Sequence, residues 1–350
     1  MMSKRLKIFL TIAFIASAFS ISARVSNAQL SENFPFDPNL LPINLPGLAN
    51  YTTIKIFPKN PGPGESVIAN LELYLTDLNK AEISWFLNGE MVEKGIGDKN
   101  FRFQTGPVGS VSRVSVSIIT FEGVSVEKEI TIRPAEVDIL WNTSTYTPPF
   151  YEGKALFTNQ SEVRLSAIPN ITNSAGNLVS PENLVFRWYK GNTLIQSGSG
   201  FGRNTLTLKG GVLFKSLDIK VEVATLDNSS TAENRIIIPS ENPSVLIYED
   251  HPLFGILFNR ALSDLILKEK EIKLSAVPYF FDAPSKNSAS LEYTWSQNLG
   301  PVSGLEQPSE IVLRQADDSE SGTVNIGVRV LDRINNFSRG DKNVRITIEN

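Results

Sequence analysis

The chain has no cysteine at all, one histidine and three methionines in 350 residues. Without cysteine there is no disulfide framework, no thiol nucleophile and no thiolate ligand for zinc or an iron-sulfur cluster. Any Ser-His-Asp arrangement or His-rich metal site would rest on His251 alone. Charge of one sign is also scarce in excess, with 33 basic against 37 acidic side chains. No stretch beyond the N-terminal one approaches the roughly 18 apolar residues of a membrane span. What remains is ordinary globular material, 41% hydrophobic and 20% charged, long enough for two or three domains.

Residues 1 to 28 read as a secretory signal peptide. Lys4, Arg5 and Lys7 precede an apolar run from Ile8 to Phe19, and Ser26-Asn27-Ala28 offers a small-residue cleavage site before Gln29. An uncleaved anchor is the alternative; the run is short for a span, and Ser20, Ser22, Ala23 and Arg24 end it. Cleavage leaves 29 basic against 37 acidic residues, a net charge of −8. No basic stripe then remains to follow a phosphate backbone, which argues against a nucleic-acid partner. The mature chain is expected to hold no membrane span and to be secreted, at the cell envelope or outside it. A terminal strand at Val344 to Glu349, without a sorting signal, predicts free secretion or non-covalent retention, with an open edge able to recruit another strand.

Residues 29 to 50, with Pro35, Pro38, Pro42 and Pro46, read as a proline-spaced linker. Beyond it the tryptophans set a period. Trp85, Trp188 and Trp295 each end a short alternating run, at separations of 103 and 107 residues. Upstream of the second and third lie two octets matching in type position for position: Glu162-Val163-Arg164-Leu165-Ser166-Ala167-Ile168-Pro169 and Glu271-Ile272-Lys273-Leu274-Ser275-Ala276-Val277-Pro278. Their period of two is that of a half-buried strand, and Glu65 to Leu75 is a looser version. Paired strands close each unit, and Pro134, Pro239 and Pro243 mark the boundaries. The fold class expected is all-β: three tandem immunoglobulin-like sandwiches at 51–135, 136–240 and 241–350, each with one tryptophan as core. Helical periodicity is weak, with Leu262 to Glu269 the one short helical turn expected.

Val223-Ala224-Thr225-Leu226-Asp227-Asn228 and Val328-Arg329-Val330-Leu331-Asp332-Arg333, strands ending on an Asp turn, resemble tandem immunoglobulin-like or PKD-like domain proteins of bacterial surfaces. The string Val137-Asp138-Ile139-Leu140-Trp141, followed by Tyr146 to Leu156, is similar to uncharacterised secreted proteins of small-genome candidate-phylum bacteria. The likeness covers residues 136 to 350; the first unit has Glu122-Gly123 in place of the Asp turn. It implies modules that serve as spacers or binding units.

The candidate sites are few. Phe150 and Tyr151 have counterparts in Phe254 and Phe258, in loops where Lys154-Ala155-Leu156 matches Arg260-Ala261-Leu262. These aromatics read either as an apolar ridge that docks a partner or as a buttress between modules. His251 lacks a partnered nucleophile and reads as a packing or surface residue. Asp317, Asp318 and Glu320 lack EF-hand spacing and read as a solvated turn. Asp227 and Asp332 read as turn caps, and Gly198 to Gly202 as a hairpin turn rather than a phosphate cradle. The six Asn-x-Ser/Thr sequons, at Asn50, Asn142, Asn159, Asn170, Asn228 and Asn336, are about what composition produces. No catalytic, cofactor or metal residue is expected. The function expected is structural, adhesive or protein-binding, through envelope proteins or neighbouring subunits. A glycan-binding accessory protein is the alternative, and an envelope hydrolase has least support.

Overall fold

The computed structural model describes residues 43–44, 47–211, 215–315, 321–335 and 338–349. The expected signal peptide, most of the linker, the run Asp317 to Glu320 and Asn336 lie outside the described residues.

The described chain is all-β, with only short 3-10 turns for helix. The first sandwich contains β1 (Ile43–Asn44), β2 (Thr52–Phe57), β3 (Ser66–Leu73), β4 (Glu82–Leu87), β5 (Glu90–Ile96), β6 (Asn100–Gln104), β7 (Ser112–Ile119) and β8 (Val124–Ile132). Its sheets run β2-β3-β6 and β1-β8-β7-β4-β5. The second contains β9 (Glu136–Thr143), β10 (Glu162–Asn170), β11 (Val185–Lys190), β12 (Thr193–Leu194), β13 (Gly200–Phe201), β14 (Thr205–Lys209), β15 (Leu217–Ala224) and β16 (Thr231–Ile238). Its sheets run β9-β10-β14 and β12-β11-β15-β16, with β13 also on β11. The third contains β17 (Ser244–His251), β18 (Gly255–Ile256), β19 (Asp264–Leu267), β20 (Glu271–Tyr279), β21 (Leu291–Gln297), β22 (Gly300–Val302), β23 (Glu310–Arg314), β24 (Gly322–Asp332) and β25 (Arg339–Ile348). Its sheets run β18-β17-β20-β23 and β19-β25-β24-β21-β22.

Three separate hydrophobic cores result, one per sandwich, as alternate residues of both sheets turn inward. Trp85, Trp188 and Trp295 are fully enclosed at their centres. Each indole N–H reaches across the sandwich to a backbone carbonyl of the facing layer, that of Asp98 (2.8 Å), Arg203 (3.0 Å) or Pro308 (2.9 Å). A buried indole thus gives its area to the core and keeps its one donor satisfied. One residue past each acceptor, the carbonyls of Lys99, Asn204 and Ser309 accept from the N–H of Leu71, Ala167 and Ala276, at 2.8 Å in all three. That shared contact fixes a common register: Leu71, Ala167 and Ala276 are equivalent positions.

Four expectations change. Leu262 to Glu269 is not helical: Asp264–Leu267 is a strand in parallel register with Arg345–Ile348, with Leu267 buried and Ile266 exposed. This pairing also covers the terminal strand, so residues 345–348 present no open edge. Part of the linker belongs to the first sandwich, since Ile43–Asn44 pairs in parallel with Val124–Ser125. Within Gly198 to Gly202, Gly200–Phe201 forms a two-residue strand on Val185–Phe186 rather than a bare turn. The three corrections to strand content have one cause: each partner lies outside the short stretch over which periodicity is read.

Candidate functional site

In the second and third sandwiches the first strand leaves the preceding unit and the next long strand returns to it, so Glu136 faces Asn170 and Ser244 faces Tyr279; β2 and β3 of the first pair in the same way, Thr52 facing Leu73. The loop between these strands therefore emerges at the far pole, where the next unit attaches. In the first sandwich it is residues 58–65; in the second, 144–161; in the third, 252–270. The aromatics singled out in sequence lie in the two longer loops.

The loop of the second sandwich is anchored at its base. Thr145 donates its hydroxyl to the carbonyl of Leu156 (2.8 Å), and the Lys154 ammonium sits 3.4 Å from the centre of the Trp141 ring. Burial there pushes the Lys154 pKa down. Trp141 and Lys154 fall in one string of the sequence, but their thirteen-residue separation crosses a loop and gives no sign that the two side chains meet.

From that base the loop reaches the third sandwich. The Tyr146 N–H donates to the carbonyl of Phe281 (2.7 Å), and the Phe280 N–H donates back to the carbonyl of Tyr146 (2.7 Å). Ser144 donates to the Asp282 carboxylate (2.6 Å), and the buried Asn335 amide donates to the carbonyl of Asn159 (2.6 Å). The Tyr151 ring lies edge-on to Tyr279 (5.9 Å between centroids) and Phe280 (5.6 Å). Phe150 meets Phe258 at 6.2 Å, and Phe258 in turn meets Tyr248 at 5.4 Å. Phe150 and Phe280, on opposite sides of this contact, both hold left-handed backbone, with φ of 66° and 63°. A bulky side chain rarely adopts that conformation, and it persists only where surrounding contacts impose it.

Beneath the aromatics, Tyr248 and Tyr279 share a hydroxyl hydrogen bond of 2.7 Å, and burial raises the Tyr279 pKa. Further along the same face the Lys273 ammonium bridges Asp250 (2.6 Å) and Glu310 (2.8 Å), while Lys286 binds Glu310 (2.9 Å) and Ser275 (2.9 Å). Burial alone would push Glu310 up; the two ammoniums outweigh it and hold the carboxyl below its ordinary value.

Phe150, Tyr151 and Phe258 thus meet at one junction, while Phe254 stands apart. It stacks on His251 at 4.8 Å; its 76% exposure does not distinguish it from Phe150, which is 88% exposed although it meets Phe258. His251 accepts the Leu253 N–H at Nδ1 (3.1 Å) and is engaged in shaping this turn. Asp227 and Asp332 accept backbone N–H groups from their own turns, Ser229 (3.1 Å) and Ile334 (2.9 Å) respectively. The Thr225 hydroxyl and then Ser229 hold Asp227 down at about 2. Among the described residues no group of three or more His, Asp or Glu is placed to hold a metal, and no helix is long and apolar enough to cross a membrane.

No family model matches the chain, and no curated protein matches it. Solved structures do. The chain is similar to the three N-terminal domains of the highly immunogenic outer capsid protein of bacteriophage RB49, at 12% identity over 85% of this chain and 98% of that one, with a TM-score of 0.26. It is similar to the central fibronectin-III array of RIM-binding protein at 12% identity, over 85% and 96% of the two chains, with a TM-score of 0.27. Fibronectin(III)-like modules of Clostridium thermocellum CbhA show 15% identity over 60% and 94%, with a TM-score of 0.21.

Proposed function

We propose that this protein is a non-catalytic structural array, exported to the cell surface or beyond, in which immunoglobulin-like sandwiches act as stiff spacers and carry binding surfaces at their ends. One observation carries the reading: the reciprocal backbone hydrogen bonds between Tyr146 and Phe280–Phe281, set in packed aromatics, which hold the second and third sandwiches in one orientation. Side-chain contacts alone leave neighbouring domains free to rock, whereas a backbone pair fixes direction and register. A spacer gains from that fixity, and a free linker would lose it. The export half of the reading rests on the N-terminal basic and apolar run.

Small-angle scattering of the monomeric protein tests the spacer. The profile is expected to fit one conformation, and the double variant Phe150→Ser, Tyr151→Ser is expected to require an ensemble. Indistinguishable profiles would remove the role given to these rings. N-terminal sequencing of protein recovered outside the cell tests the export; it should begin at Gln29, and retention inside the cell with Met1 intact would contradict it.

A further inference from the structure

The chain has no thiol, and Met91 is the one methionine beyond the expected signal peptide, so few side chains are left to take up an oxidant. Tryptophan and tyrosine rings are the remaining electron donors. Trp85, Trp188 and Trp295 are fully enclosed, and the Lys154 ammonium over Trp141 opposes positive charge forming on that ring. Three phenols are placed differently, in a chain that runs inward from the surface. Tyr151 is 37% exposed and stands edge-on to Tyr279, and Tyr279 shares a hydroxyl hydrogen bond with Tyr248, which is 4% exposed.

The two contacts in this chain suit different steps. Tyr151 meets Tyr279 ring to ring at 5.9 Å between centroids, while its hydroxyl lies back against Gly153 of its own loop, too close for a side-chain carbon there. Such a contact passes an electron across a short gap. Tyr248 and Tyr279 instead meet hydroxyl to hydroxyl at 2.7 Å. A phenol hydrogen-bonded in this way releases its electron and its proton together, because the proton has an acceptor in place. When two phenoxyl radicals join through carbons ortho to oxygen, the product holds its two hydroxyls side by side and hydrogen-bonded, which is the relation these two residues already have.

We propose that Tyr248 and Tyr279 are an oxidative coupling site, joined by a carbon-carbon bond when a peroxide-driven haem peroxidase oxidises Tyr151. One hydrogen peroxide takes one hydrogen atom from each phenol, two electrons and two protons in all, and leaves as two waters. The radicals join at ring carbons ortho to oxygen, and the hydrogens on those carbons move to the oxygens. Tyr151 loses an electron twice and is refilled each time from the pair behind it, so it relays charge and is not consumed. The new bond links residues 31 apart and ties β17 to the end of β20 beneath the junction, closing a loop as a disulfide does in chains that have cysteine. The inference rests on the export reading only for the meeting with an oxidant, since oxidising conditions prevail outside the cell. Purified protein tests the site itself, so failure there leaves export and spacing untouched.

Treatment of dilute full-length protein with hydrogen peroxide and a haem peroxidase decides it. The expected product has dityrosine fluorescence and the mass of the monomer less two hydrogens, apart from oxygen added at Met91. Its tryptic peptides 236–260 and 274–286 should be linked through Tyr248 and Tyr279. Tyr248→Phe and Tyr279→Phe each keep the packed ring and should each abolish the link, with tryptophan emission matching wild type as the sign that the variant is folded; either variant alone suffices. Tyr151→Phe should slow the link several-fold without moving it. A monomer that forms no such link, a link carried by other tyrosines alone, or a link that persists in either pair variant would overturn the proposal, and a rate untouched by Tyr151→Phe would overturn the relay.

Discussion

The two octets at 162–169 and 271–278 are the same strand in type, yet their outer faces have opposite fates. Ile168 in the second sandwich is 51% exposed, and Val277, its equivalent in the third, is 0% exposed. The first sandwich has Glu72 there, paired with Lys55 at 2.7 Å. Nothing within the octets separates them; the difference lies in the segments around them. The third sandwich receives the aromatic loop of the second, while the second receives from the first the short loop 58–65 and the turn at Gly109, which lies against Thr172. At that junction Asn60 exchanges hydrogen bonds with Thr231 (2.6 Å) and Glu233 (3.2 Å), and Ala135 packs into the second core as the connecting segment. The lesson concerns loop length: an insertion between the first two strands turns a polar side-chain contact into an aromatic one with backbone pairing.

The largest expected effect probes what the sandwiches share. Trp188→Ala removes the centre of the second core and orphans the Arg203 carbonyl, and should cost about 3–5 kcal/mol. Chemical denaturation measures it, and an unchanged transition would show that the ring is not core. The next separates the octets. Val277→Ala should cost about 2 kcal/mol, and Ile168→Ala under about 0.5 kcal/mol, although both delete β-branched methyl groups from equivalent positions. Equal costs would erase the contrast. Tyr151→Ala should loosen the second junction by about 1 kcal/mol, read as faster hydrogen exchange at the Phe280 amide.

The smallest concerns acid. Glu310 has a depressed folded pKa, so its contribution is present above the ordinary carboxylate range and is lost as pH falls through the lower folded value. The third sandwich should hold its melting temperature from neutral pH to about pH 5 and lose it below about pH 4, more steeply than Glu310→Gln. A curve unchanged by that substitution would show the network to be neutral.

Much of this architecture is written locally. The tryptophan period marks the three centres because each indole must find a large void and a carbonyl, and the alternating octets mark the strands. The partners of Tyr279 and Tyr248 are not local, because Tyr151 and Phe258 reach those rings from other segments. The parallel pairing of Asp264–Leu267 with Arg345–Ile348 is likewise hidden, since Leu-Ile-Leu in polar surroundings fits a helical turn as readily as a strand. The aromatic loops were visible as a repeat, but their division of labour was not. Phe150 and Tyr151 meet rings of the third sandwich while Phe254 stacks on His251, and composition does not tell those rings apart.

The central claim is that the second junction is fixed and the first is held by fewer contacts. The absence of native cysteine makes a direct test clean, because paired cysteines can be labelled without background. Spin labels at Arg164→Cys and Val312→Cys span the second junction, and labels at Arg102→Cys and Arg164→Cys span the first, all at exposed strand positions. Pulsed dipolar spectroscopy should give a narrower distance distribution across the second junction than across the first, and adding Phe150→Ser with Tyr151→Ser should broaden only the former. Equal widths, or a narrow second distribution that survives loss of both rings, would contradict the account.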